Sequence, residues 1–114
     1  MFPSSKEFAE DFKIRYIELA KRLMVLRLLE EPMTSYELSE AIHQGSNRIF
    51  PVRQVFAVLV VLEQMEAVEK LRQDGREVYR ITEKGRECLQ LCLDEFYPLR
   101  DGVNMILQKD AAYK

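Results

Sequence analysis

The sequence predicts a mainly α-helical domain carrying one small β-hairpin, and three observations predict it. Apolar residues recur at steps of three and four over long stretches near both ends of the chain. One Asp74-Gly75 pair separates two short runs in which apolar and polar residues alternate, the signal of a two-stranded hairpin. Of only 4 Gly and 4 Pro, Pro32, Gly45, Pro51 and Gly75 stand at the joints between periodic segments. A chain of 114 residues, 47% hydrophobic and 32% charged, has the material for one core, so residues 1–114 are expected to form a single domain.

The first helix is expected over 5–30. Phe8, Phe12, Tyr16, Leu19, Leu23 and Leu26 form one stripe, and Ile14, Ile17, Met24, Val25, Leu28 and Leu29 a second. Two stripes mean two covered faces, which fits either a central core helix or one side given to a second subunit. Glu31-Pro32 ends the helix, because proline disfavours helical geometry at the residue before it. Thr34-Ser35-Tyr36-Glu37 then has the capping-box spacing, and a short helix follows to about Gln44 with Leu38, Ala41 and Ile42 inward. Gly45-Ser46-Asn47 stops it.

Pro51 suits the first turn of a third helix reaching Met65. Its run Val55–Leu62 would also suit a buried strand, but fifteen residues without a breaker are long for a strand and ordinary for a helix. Val68–Arg72 and Glu77–Ile81 make the hairpin, with Lys70, Arg72 and Arg80 assigned to its solvent face. Thr82 caps a fourth helix with the stripe Leu89, Cys92, Leu93, Phe96 and Tyr97. Pro98 is expected to bend or break it, with Val103, Ile106 and Leu107 carrying an amphipathic segment to about Lys109.

Composition narrows the function. The lone His43 has no acid or base company, and no Gly-rich phosphate loop or paired catalytic carboxylates occur, so no enzyme and no cofactor are expected. His43 is read as a charge favouring the end of its helix rather than as a site. Cys88 and Cys92, one turn apart, lack the further ligands that zinc needs and read as packing or seam residues. The apolar run Val55–Leu62 is far short of a membrane span, and a soluble, cytoplasmic protein without a membrane partner is expected. The net charge is −2, yet it is uneven: residues 48–86 hold eight Lys/Arg against six Asp/Glu, while both flanks are acidic. An anionic partner would go to the middle.

The order helix–helix–helix–hairpin–helix is that of a winged helix-turn-helix, and particular residues carry a family resemblance. Val25-Leu26-Arg27-Leu28-Leu29-Glu30-Glu31-Pro32 followed by Ser35-Tyr36-Glu37-Leu38 resembles the opening of the PadR-like transcriptional regulators. Pro51–Val68, with Phe56, Leu59, Leu62 and Glu63, is similar to that family's third helix, and Tyr79-Arg80-Ile81-Thr82-Glu83-Lys84-Gly85-Arg86 to its strand-to-helix junction. The resemblance covers residues 24–96. It implies an N-terminal helix (5–30), a helix-turn-helix with wing (34–82) and a C-terminal dimerisation helix (83–109). It further implies a homodimeric repressor that binds a palindromic operator in double-stranded DNA, third helix in the major groove and wing on the flanking backbone. Dimer contacts would come from Phe8 and Phe12 with Leu89, Cys92, Leu93, Phe96, Val103 and Ile106, and the seam would admit a small apolar effector.

Three positions depart from the family pattern. Ser35 stands where glycine is frequent, Glu66 replaces a frequent glycine after the third helix, and Val60 and Val61 occupy positions often basic or polar. The DNA-binding candidates are Arg53 and Gln54 for base edges, Arg48 and Tyr36 for phosphates, and Lys70, Arg72 and Arg76 on the wing. Each has a plainer reading, as a solvated helix start, a core tyrosine or a charged edge that keeps a hairpin soluble. The competing function keeps the fold without the nucleic acid: a protein-interaction module docking through an apolar Val58/Val60/Val61 face.

Overall fold

The computed structural model describes residues 3–46, 48 and 55–109. The elements are α1 (Ser5–Leu28), α2 (Ser35–Gly45), α3 (Val55–Gln64), β1 (Val68–Gln73), β2 (Arg76–Ile81) and α4 (Glu83–Leu107). Pro51, expected to start α3, lies outside the described residues. α1 is capped by Ser4, whose hydroxyl accepts from Glu7 N–H while the Glu7 carboxylate accepts from Ser4 N–H. The same box closes α2 through Thr34 and Glu37.

α1 stops two residues earlier than its periodicity suggests. Pro32 starts the unwinding, and the Leu29 carbonyl, instead of continuing the helix, accepts from Ile81 N–H at 2.9 Å. Next to it, Met33 and Tyr79 exchange both backbone hydrogen bonds, at 3.0 and 2.7 Å. The strand β2 is therefore held on one edge by β1 and on the other by the α1–α2 connection. Sequence periodicity does not show that second edge, because it is a single residue long.

The core joins every element. Val25, Leu26 and Leu29 of the α1 end meet Leu38 and Ile42 of α2, Val55, Val58, Leu59 and Leu62 of α3, and Leu89 of α4. At the hairpin's turn Asp74 and Gly75 have φ of 54° and 76°, the left-handed pair that a two-residue turn requires. Register pairs Glu69 with Arg80 and Lys70 with Tyr79. Arg80 therefore lies on the opposite face from Lys70 and Arg72, which corrects the assignment of all three to one solvent face. All three remain exposed, and Val78 and Tyr79 are buried on opposite sides because both faces of the hairpin are partly covered.

Two backbone features set how α3, the hairpin and α4 join. α3 ends in a Schellman motif, Ala67 N–H to Leu62 O (2.9 Å) and Glu66 N–H to Glu63 O (3.0 Å), which places Glu66 at φ 63°. The Ala67 carbonyl then accepts from Thr82 N–H at 3.0 Å, and the first turn of α4 presses on it so closely that a Cβ on Gly85 would stand 2.0 Å from that oxygen. α4, expected to bend or break at Pro98, is not broken there and continues to Leu107. Pro98 and Asp94, whose carbonyl the proline leaves without its helical donor, are both exposed, so that carbonyl is open to solvent rather than buried unsatisfied.

The molecule is elongated, 58 × 30 × 27 Å with a radius of gyration of 17.0 Å, where a compact chain of this length has about 13 Å. The excess is the N-terminal half of α1 and the C-terminal half of α4, which leave Phe8, Phe12, Leu19, Leu99, Val103 and Ile106 exposed.

Replacing Gly85 with Ala is expected to destabilise the fold by about 3 kcal/mol, the upper end of overpacking costs, because the obstacle is backbone. Glu66→Gly is expected to stabilise it by about 0.5–1 kcal/mol, since left-handed geometry costs an L-residue more than glycine's extra chain entropy. Urea unfolding of both variants checks the pair of opposite signs.

Candidate nucleic-acid interface

The described residues of α3 divide cleanly. Val55, Val58, Leu59 and Leu62 face the core, while Phe56 (63% exposed), Ala57, Val60 (40%) and Gln64 face outward. Val58 is only 2% exposed, so it does not belong to an outer apolar face as the sequence suggested, and Val61 is half-buried. The reason is packing on both sides: α3 lies against α1, α2 and β1, and a helix covered on three sides keeps only a narrow outer stripe. Arg53 and Gln54, the two candidates for base contacts, lie outside the described residues.

The wing stands beside α2. Arg76 Nη1 is 3.7 Å from the Glu37 carboxylate in the first turn of α2, which places the hairpin turn near Tyr36. Tyr36 is 73% exposed, not a plug in the core, so its hydroxyl is free to meet an outside acceptor. Arg48, just after α2, is exposed with φ 67°, its N–H held by the His43 carbonyl at 2.7 Å. His43 itself is half-buried, and its Nδ1 has no hydrogen-bond partner among the described residues.

Most wing cations already have carboxylate partners. Arg80 donates to Glu69 at 2.6 Å, and Lys70 Nζ lies 4.0 Å from Glu77 and 5.8 Å from the Tyr79 ring centre. Arg72, whose guanidinium reaches the Gly75 carbonyl at 3.4 Å, has no ion pair among the described residues. These pairs are solvent-exposed and individually weak, so a phosphate can replace the carboxylate at little cost. Glu37 was absent from the sequence reading as an ionic partner. Arg76 is 39 positions away, a separation at which no local pattern reports contact.

The seam candidates also separate. Phe12, Tyr16, Leu19, Phe96, Leu99 and Val103 line one open groove of about 390 Å³ between α1 and α4. Arg100 stands over the Tyr97 ring at 4.9 Å at that groove's edge. Phe8 and Ile106 are exposed outside it, Cys92 is exposed, and Leu93 is half-buried against the core. Leu89 is a correction: at 3% exposure it packs wholly within its own subunit and has no surface left for another. Tyr16, Leu19 and Leu107, which lie in the apolar stripes expected to supply the seam, are exposed, and so is Leu99, which the stripes did not include.

A scan against protein-family models finds no match, and neither does a search of curated proteins. Solved structures do match. A PadR family transcriptional regulator from Eggerthella lenta superposes with a TM-score of 0.75 at 20% identity, over 93% of this chain and 94% of that one. A PadR-like transcriptional regulator from Bacillus cereus gives 0.76 at 20% identity, over 82% and 97%. A transcriptional regulator from Clostridium thermocellum gives 0.70 at 20% identity, over 79% and 95%. The chain has the winged-helix fold of these PadR-like regulators, as the sequence resemblance implied.

Glu37 supplies a pH test of the α2 cap and the wing contact that shares its carboxylate. The Thr34 N–H holds its carboxyl below the ordinary range, desolvation opposes this, and Arg76 lowers it further. A depressed carboxyl stabilises the fold above the unfolded pKa, and the contribution is lost as pH falls through the depressed value. Glu37→Gln should melt below the wild type at neutral pH, and the gap should close toward acid; thermal melts across the carboxylate range measure it.

Proposed function

We propose that this chain is a homodimeric DNA-binding transcriptional regulator, acting as a repressor on a palindromic operator. The observation that carries the reading is the wing docked at the first turn of α2 by Arg76 and Glu37, beside an α3 whose outer side is left open, on a fold shared with transcriptional regulators. In this reading α3 enters the major groove, Tyr36, Arg48, Arg72 and Arg76 hold phosphates, and Lys70 assists from the wing. Arg53 and Gln54, outside the described residues, are the candidates for reading base edges. Operator binding frees Arg76 from Glu37, exchanging one anion for another.

The dimer follows from the two projecting arms. Their exposed Phe12, Leu19, Leu99 and Val103 form an apolar groove that a second copy would cover with its own α4. The two third helices then meet half-sites about one DNA turn apart. A small apolar effector entering the same groove would alter the spacing of the half-sites, and this is how repression would be relieved. The protein-docking alternative loses its main support with Val58 in the core. The roles invoked are binding roles, without catalysis, in a reducing cytoplasmic setting suited to the two free thiols.

Fluorescence anisotropy with a labelled random duplex at about 50 and 200 mM salt tests the reading. Arg48, Arg72, Arg76 and Lys70 on phosphates in both protomers make eight contacts per dimer and predict a slope of log affinity on log salt near −7, at roughly 0.9 per contact. Arg76→Ala removes one contact from each protomer, so it should weaken all sequences alike and reduce that slope by about two units. Absence of binding at both salts would overturn the assignment. Val103→Asp with Ile106→Asp should convert a dimer to a monomer in sedimentation velocity, with melting of the protomer little changed, because both residues are exposed.

A further inference from the structure

The outer stripe of α3 has an unusual character for a surface placed against a polyanion. Phe56, Ala57 and Val60 succeed one another on it, no Lys or Arg occurs among the described residues of the helix, and its one charge, Glu63, is half-buried near the far end. Phe56 is 63% exposed, so neither its ring nor Val60 is needed by the core. The stripe is also not part of the dimer groove, which is lined by α1 and α4 alone. Its area limits the occupant. Phe56, Ala57 and Val60 together expose roughly 250 Å² at most, against about 800 Å² per partner for a stable protein contact. The same area suffices for small apolar groups presented by a larger polar partner.

We infer that this stripe reads the 5-methyl groups of thymines on the floor of the major groove, so that part of the operator's specificity rests on apolar contact. The inference deepens the DNA-binding reading and depends on it. The major groove offers one apolar group, the thymine methyl, and small aliphatic and phenyl side chains are the ones that meet it. Charge fits as well. A neutral helix face adds no phosphate attraction of its own, and exposed cations such as Arg48 and Arg72 are there to supply it. Phosphate contacts hold the protein on any sequence, and Phe56 and Val60 distinguish thymine from cytosine, which has the same ring edge position without the methyl.

The test begins with operator selection from a random duplex pool by the full-length chain. Single thymines in each half-site are then replaced by deoxyuridine, which removes the methyl and leaves base pairing intact. Anisotropy is expected to show about a fourfold loss for each methyl that the stripe touches, the equivalent of one buried methyl group. Phe56→Ala and Val60→Ala are expected to bind thymine and deoxyuridine operators equally, with the salt slope of the wild type. Phe56 is largely exposed and Val60 keeps only a partial contact with its neighbours, so these variants keep the fold, and circular dichroism verifies it. An operator that binds equally well with every thymine replaced would overturn the inference while leaving DNA binding intact. So would variants that retain the full thymine preference. Failure to select any operator, with no salt-sensitive binding, would instead remove the DNA-binding reading and this inference with it.

Discussion

One backbone oxygen organises the joint between the helix-turn-helix with its hairpin and the projecting half of the molecule. The Ala67 carbonyl ends the α3 Schellman turn, accepts from Thr82 N–H, and receives the first turn of α4 at a distance only glycine tolerates. Thr82 ties the same point twice more: its hydroxyl donates to the Glu66 carbonyl at 2.6 Å and accepts from Gly85 N–H at 3.0 Å. Because α4 starts there, its direction relative to α3 is set within the joint. Any second subunit gripping the far end of α4 thereby inherits a defined position for both third helices. Geometry of that kind is what a fixed half-site spacing demands.

The electrostatics of the proposed interface are those of exchange rather than of excess charge. A chain with net charge −2 cannot attract DNA as a whole, and its wing is nearly neutral in isolation. Yet Arg76, Arg80 and Lys70 each face a carboxylate across solvent, where the pair is worth little and is easily replaced. In the proposed DNA-binding reading, non-specific affinity would be modest, and discrimination would come from Arg53, Gln54 and the outer surface of α3, where apolar side chains contribute contact without adding attraction to every phosphate.

How far the sequence could be read follows the range of each interaction. Caps, the Asp74-Gly75 turn and the helix-ending effect of Pro32 act over four residues or fewer, and each was legible. The hairpin's alternation was legible as a pattern, but its register was not: alternation within each strand assigned Arg80 to the face of Lys70, whereas pairing with Glu69 puts it on the other side. Val58 and Leu89 were misplaced for a related reason. Helical periodicity says which residues share a face, and says nothing about how many faces neighbouring elements will cover.

By itself the sequence determined which segments are helix and hairpin, their caps and the tight turn, and that the order is a winged helix-turn-helix, since these depend on local propensity and short-range hydrogen bonds. Tertiary structure decided which apolar residues remain outside: Phe56 and Val60 on α3, and the arms beyond Leu23 and Leu93. It also decided that Arg76 meets Glu37, and that Gly85 must be glycine. Those outcomes depend on packing between elements far apart in the chain, where van der Waals exclusion and solvent access are set by neighbours that no local pattern names.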